Sequence, residues 1–259
     1  MTGLHVETAG AGPPLVLLHG WAMHGGLFAP LVPALAQRFS VSVVDLPGHG
    51  YSAPVAPFTL DAIVAALALR FGDAEEPVTL LGWSFGGAVA LRWARLHPGR
   101  VARLLLVCAT PRFTACDDWP HAMAPITLAR FGDELAAAYR LTLQRFLSLQ
   151  VQGSDEGRAT LASLRAQLFA RGEPSRATLA AALAVLAAID LRDDAHAIAV
   201  PALIVTGERD ALTPTAAGAW LARAMPNARH VDIPGAAHAP FLSHRRAFDT
   251  ALAGFADAR

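Results

Sequence analysis

A mostly parallel central sheet flanked by helices, with a helical segment inserted late in the chain, is the fold the sequence predicts. Three observations carry the expectation. Short apolar runs alternate with longer helical patterns, several of those runs pass straight into glycine-containing turns, and the alternation is suspended between about residues 110 and 200. Parallel strands are buried on both faces and so read as continuous apolar runs, while surface helices keep a period near 3.6. The 259 residues are 54% hydrophobic and 16% charged, a composition that excludes a disordered chain. A chain of this size builds a large core without disulfide or metal staples.

Taken in order, Pro14–Leu18 reads as a buried strand that ends in His19-Gly20. Val41–Asp45 is the next and runs into Leu46-Pro47-Gly48, after which Leu60–Phe71 has a helical pattern. Val78–Leu81 leads into Gly82-Trp83-Ser84 and then a helix over Phe85–Leu96. Leu104–Val107 follows as a strand. From there to Val200 no strand is convincing. Instead Leu135, Tyr139, Leu143, Phe146 and Gln150 share one helical face, as do Leu161, Leu164 and Leu168, with turns at Gly153-Ser154-Asp155 and Gly172-Glu173-Pro174-Ser175. Ala202–Val205 and His230–Ile233 resume the strands, with helices at Thr215–Ala224 and Arg245–Ala256. The economical division is a core domain, 1–110 and 200–259, carrying a helical cap at 111–199. Ligands of open α/β sheets bind at the carboxyl ends of the strands, which is where the glycine turns fall.

The 21 basic residues, all arginine, balance 21 acidic ones. No global field draws the chain to nucleic acid or an anionic membrane, so neither is expected as a partner. Met1–Gly12 has no charged segment followed by an apolar run, and Ala177–Ile189, the most apolar later stretch, is too short to span a bilayer. Cys108 and Cys116 lack metal-ligand spacing. Cys108 reads as a small buried hydrophobe. A cytoplasmic monomer with no metal and no cofactor is expected.

Gly82-Trp83-Ser84-Phe85-Gly86, followed by Gly87, matches G-x-S-x-G between a strand and a helix, the context in which a serine hydroxyl is held out on a sharp turn. A bland glycine-rich turn is the alternative. A hydroxyl is a weak nucleophile and needs a base, which in turn needs an orienting acid. His238 follows the last strand and Asp210 follows Ala202–Val205, so Ser84, Asp210 and His238 all stand at carboxyl ends of strands. Their order along the chain is the one expected around such an elbow. Asp45 is the main rival acid, although its Asp-Leu-Pro-Gly-His-Gly setting suits a residue that fixes a loop; Glu208 is a second rival. His24 and His49 lie in loops near the expected mouth. His5, His97, His121, His196, His230 and His244 read as surface or structural groups. Acyl transfer also needs donors for the developing oxyanion, and the backbone N–H groups of Phe85 and Trp21 are the candidates. The Trp21 and Phe85 rings could equally face an acyl chain or pack in the core.

Leu17-Leu18-His19-Gly20-Trp21, Val44–Ser52 and Leu81–Gly87 resemble the α/β-hydrolase superfamily. Asp117-Asp118-Trp119-Pro120, Arg145–Gln150 and Ala236–Phe241 are more discriminating, and are similar to the branch of pimeloyl-[acyl-carrier protein] methyl ester esterases of biotin synthesis. The resemblance runs from about Pro14 to Phe248. It implies hydrolysis of the methyl ester of a pimeloyl chain borne on an acyl-carrier protein, releasing methanol. It also implies substrate contacts at Trp21, Ser84, Phe85, Phe146, Leu147, Ser148, Leu149, Gln150 and His238. Members of the branch hold the acidic carrier through cap arginines, which points here to Arg140, Arg145, Arg158 and Arg165. Leu141 and Ala162 stand where two further arginines would be. A solvated helix face is the ordinary fate of such arginines. The same triad would also serve a general short-chain carboxylesterase or a carbon–carbon bond hydrolase, because specificity lies in the cap rather than the fold. A non-catalytic binding protein on the same fold would lack a triad member, and none is missing.

Overall fold

The computed structural model describes residues 3–72 and 74–256. Seven strands are hydrogen-bonded in the order β1-β3-β2-β4-β5-β6-β7. They are β1 (Val6–Ala9), β2 (Pro14–Leu18), β3 (Ser40–Val44), β4 (Val78–Trp83), β5 (Val101–Val107), β6 (Ala202–Gly207) and β7 (Ala228–Ile233). All pairs are parallel except β1 with β3. The apolar runs are the central strands: β6 is buried along its whole length, and β2 and β4 nearly so. Apolar helices on both faces leave those strands no solvent side to make polar. The antiparallel edge strand β1 is absent from the sequence expectation. It is four residues long and half-exposed, with Glu7 and Thr8 at its centre, so it has no apolar run to announce it.

The helices are α1 (Val32–Leu35), α2 (Leu60–Phe71), α3 (Phe85–Leu96), α4 (Pro125–Ala137), α5 (Tyr139–Gln150), α6 (Gly157–Gln167), α7 (Arg176–Ala188), α8 (Arg192–Ala197), α9 (Thr215–Ala224), α10 (Pro240–Ser243) and α11 (Arg245–Ala256). The bounds of α2, α3, α9 and α11 coincide with the expected ones. The N-cap of α2 shows why: Thr59 accepts a hydrogen bond from Ala62 N–H at 3.1 Å. Helix α3 lies on β4 and β5 and packs against α2 and α8, while α9 covers β6 and β7.

Between β5 and β6, α4 packs on α5 and α7, and α5 on α6. The expected single helical face over Leu135–Gln150 is split. Ala138 leaves helical geometry (φ −138°, ψ 56°), so Leu135 belongs to α4 and the rest to α5. Thr142 Oγ1 donates to the Glu134 and Ala138 carbonyls across the break, adding a second donor to oxygens that already take the Ala138 and Thr142 backbone N–H groups. Helix α8 lies within the 111–199 span but packs on α3 and α9 of the sheet layer. Among the described residues no helix is long and apolar enough to cross a membrane.

Candidate active site

Ser84 occupies the turn between β4 and α3 with φ +55° and ψ −117°. That backbone region is sparsely populated for any side chain and costs about 1–3 kcal/mol, a strain the surrounding packing must hold in place. The packing is backbone on backbone: a Cβ at Gly86 would collide with Leu18 O, so only glycine lets α3 start this close to β2. A Cβ at Gly20 would stand 3.2 Å from Ser84 Cβ and 3.0 Å from the Trp83 ring. The His19-Gly20-Trp21 loop therefore lies directly over the serine. As the first residue of α3, Phe85 carries a backbone N–H with no acceptor one turn earlier in the helix.

His238 reaches the same place from the loop after β7. Trp83 Nε1 donates to His238 O at 2.7 Å, and His238 N–H donates to Gln150 O at 3.0 Å. Glu208 braces the approach by accepting from Gly235 N–H at 2.8 Å, which is a different task from orienting the imidazole. Asp210 does stand at the imidazole, with Oδ2 2.8 Å from His238 Nδ1. Both side chains are buried. Burial alone would raise the Asp210 carboxyl. The His238 charge and hydrogen bond, with hydrogen bonds from Thr213, outweigh it and hold the group below the usual carboxylate range. An ionised Asp210 fixes the proton on Nδ1, leaving the Nε2 lone pair free. Nε2 is buried and has no hydrogen-bond partner among the described residues, and it shares a cavity with Ser84. The Ser84 hydroxyl shares that space with Nε2 and is not hydrogen-bonded to it, a looseness common before substrate binds.

The cavity, of about 70 Å³, is lined by Ser84 and His238 at its polar end. The rest is apolar apart from Thr127: Trp21, Phe113, Met123, Leu128, Phe131, Phe146, Leu149, Leu183, Leu186 and Leu212. Trp21 meets Phe146 and Phe131 edge-to-face, with centroids 5.0 and 5.5 Å apart. Of the expected substrate-contacting residues, Trp21, Ser84, Phe146, Leu149 and His238 line this space. Phe85, Leu147 and Gln150 are buried without lining the cavity, Gln150 meeting His238 through its backbone carbonyl, and Ser148 is exposed with its hydroxyl on Gln144 O. The lining from α4 and α7 was not singled out in the sequence. Phe131, Leu183 and Leu186 carry an ordinary amphipathic signal that reads as core.

Asp45 makes no contact with His238. Its carboxylate accepts from Gly25 N–H at 2.7 Å and Tyr51 N–H at 2.9 Å, and Arg171 reaches both of its oxygens at 3.2 Å. His24 Nε2 lies 2.6 Å from Gln167 O, and His49 is buried against the ring of His19. His24 and Asp45, the latter through Arg171, tie the end of α6 and the segment after it to the loops at the carboxyl ends of β2 and β3, whereas His49 joins those two loops to each other. Among the expected carrier contacts, Arg140 pairs with Glu173 at 2.5 Å and Arg145 with Glu134 at 3.4 Å. Arg158 and Arg165, both on α6, are exposed and enter no ion pair among the described residues. One cluster of metal-ligating types occurs among the described residues, Cys108 with Asp210 and His238, their ligand atoms within 4.8 Å of one another. There Nδ1 is engaged with Asp210, so the imidazole has no lone pair to offer on that side.

Residues 13–245 match the family model for the alpha/beta hydrolase fold. The chain is similar to the pimeloyl-[acyl-carrier protein] methyl ester esterase of Chromobacterium violaceum, 46% identical over 250 residues and covering 96% of each protein. The protein of the same name from Nitrosomonas europaea is 43% identical over 248 residues, covering 96% of this chain and 97% of that one. Among solved structures, an esterase from Exiguobacterium antarcticum superposes with a TM-score of 0.88 at 24% identity, covering 98% of this chain and 96% of that one, a likeness of fold alone. A bromoperoxidase from Bacillus anthracis gives 0.89 at 25% identity, with 98% and 95% covered. By sequence and by architecture, the chain belongs to the alpha/beta hydrolase family.

Proposed function

We propose that the protein is a serine esterase that hydrolyses the methyl ester of pimeloyl-[acyl-carrier protein], the step in biotin synthesis that the sequence resemblance implies. The observation that carries the chemistry is the Asp210–His238 bond at 2.8 Å beside an unpartnered Nε2 in a cavity shared with Ser84. The choice of substrate is supported by relatives of that name at 43% and 46% identity over nearly the whole chain.

Ser84 Oγ attacks the ester carbonyl carbon while its proton passes to His238 Nε2. The resulting oxyanion takes hydrogen bonds from the Trp21 and Phe85 backbone N–H groups, and Asp210 stabilises the imidazolium. Collapse breaks the bond to the methoxy oxygen, which leaves as methanol with the proton from His238. Water, deprotonated by the same nitrogen, then attacks the acyl-enzyme, and the bond to Ser84 Oγ breaks as Nε2 returns the proton to it, freeing Ser84 and the carboxylic acid. The apolar cavity suits the uncharged ester and the methylene chain behind it, with α4–α7 acting as a lid over the sheet. The apolar lining disfavours a carboxylate, so ionisation of the acid as it meets water favours release. The exposed, unpaired Arg158 and Arg165 are the better carrier contacts, since Arg140 and Arg145 already have acidic partners.

The test compares methyl pimeloyl-carrier protein with a panel of short p-nitrophenyl esters, using wild type, Ser84→Ala and His238→Ala. Each variant should lose at least about a thousandfold in turnover on every substrate while keeping the fold, because triad members act as a unit. Near-normal turnover in either variant would remove the catalytic assignment. Short esters preferred over the carrier-borne one would point to a general carboxylesterase.

A further inference from the structure

The Asp210 carboxylate is held on every side. Oδ1 accepts the backbone N–H groups of Leu212 at 2.9 Å and Thr213 at 3.0 Å. Oδ2 receives His238 Nδ1–H at 2.8 Å and lies 2.6 Å from Thr213 Oγ1, which in turn is 3.4 Å from Nδ1. Two oxygens at that separation share a proton. Because Asp210 is ionised, the hydrogen belongs to the threonine. The only other neighbour of that hydroxyl among the described residues is Cys108 O at 3.0 Å, a longer contact competing for the same hydrogen.

We propose that Thr213 is a positioning residue for the catalytic base: its hydroxyl donates to the very oxygen that takes the imidazole N–H, and so fixes the carboxylate's rotation and tempers its pull on the imidazolium. The proposal rests on the triad reading above. It does not follow from the backbone turn alone, since the amides of Leu212 and Thr213 engage the other oxygen, Oδ1.

A carboxylate that shares its charge with a hydroxyl donor stabilises a neighbouring cation less well. The other titratable group at this spot is the Cys108 thiol at the end of β5. It sits 3.8 Å from Ala237 O and is kept neutral by burial and by Asp210, with Asp232 of β7 acting more weakly from farther off. The thiol is itself a weak donor to the Asp210 carboxylate, and it stays in place when Thr213 is changed.

Thr213→Val keeps the shape and removes the donor. On p-nitrophenyl butyrate, a substrate that needs no carrier, the acid limb of the kcat/KM profile should move upward by about half to one pH unit, because an untempered carboxylate keeps the imidazole protonated to higher pH. The plateau should fall roughly three- to tenfold as the carboxylate loses an anchor to a charged acceptor. Thr213→Ser should restore both, and the downfield imidazole Nδ1–H proton resonance should shift in the valine variant alone. If the valine chain does not fold, Thr213→Ala gives the same readout. A valine or alanine profile that superposes on wild type along the pH axis, whatever its height, overturns the proposal. Hydrolysis that survives Ser84→Ala would overturn the triad reading instead, which keeps the two failures distinct.

Discussion

Asp45→Asn separates the two acids that the sequence leaves in competition. The Asp45 carboxylate is fully buried and holds two backbone N–H groups and Arg171, whose other partner is Glu7 at 2.7 Å. Burial would raise this carboxyl, but the Tyr51 amide, His19, the Gly25 amide and Arg171 together hold it below its ordinary value. A depressed carboxyl contributes stability that is fully present above the unfolded-state value near 4 and is lost as pH falls through the lower folded-state value. Removing one member of a buried ion pair costs about 3–5 kcal/mol. Asparagine keeps one acceptor oxygen and Arg171 keeps Glu7, so we expect a loss of about 2–3 kcal/mol at neutral pH. Urea unfolding measures it as a lower midpoint at unchanged slope, and the gap to wild type should narrow as the pH is taken below about 4. The folded variant should retain ester turnover within a few-fold. Asp210→Asn should do the reverse, losing roughly 10³- to 10⁴-fold in turnover with a smaller change in midpoint. An Asp45→Asn protein with an unfolding free energy within about 1 kcal/mol of wild type, or one folded but inactive, would refute this division of labour.

Two further outcomes can be checked. Burial pushes the His49 ring down to about 4, and burial with the neighbouring His49 pushes His19 down to about 3. Stability should therefore be complete above about pH 6.5 and decline as the pH falls toward those values, each ring contributing up to about 1.4 kcal/mol per pH unit; His49→Gln should flatten the urea-midpoint profile across that interval. Charge reversal of Arg158 and Arg165 should weaken turnover of the carrier-borne ester at low salt more than that of a small ester, and equal losses on both would count against electrostatic steering.

Much of the architecture is legible because burial on two faces forces a long apolar run, and β2, β4 and β6 have one each. The elbow is legible because its glycines answer backbone collisions that no other residue survives. What stays hidden depends on contacts between distant residues. Arg171 is 126 positions from Asp45, and nothing local distinguishes it from the other arginines of 111–199. The break at Ala138 lies in an alanine run that favours helix and is imposed by how α4 and α5 pack. Edge strand β1 has too few apolar residues to register. Thr213 is visible three residues beyond Asp210, but its role depends on which carboxylate oxygen it meets. Within the cavity, Phe131 and Leu183 look like any core residue until the helices that carry them are placed above Ser84.

Trp21 has an obligation beyond its backbone amide. Its indole N–H donates to Leu179 O, near the start of α7, at 3.0 Å, so the loop that would cradle the negative oxygen is moored to the roof above it. Lifting that roof far enough to admit a chain must let go of the mooring, and lowering it again must take it up. On the mechanism proposed above, readiness for chemistry would thereby be tied to closure over a guest, and a gaping molecule would be left with a slackened cradle.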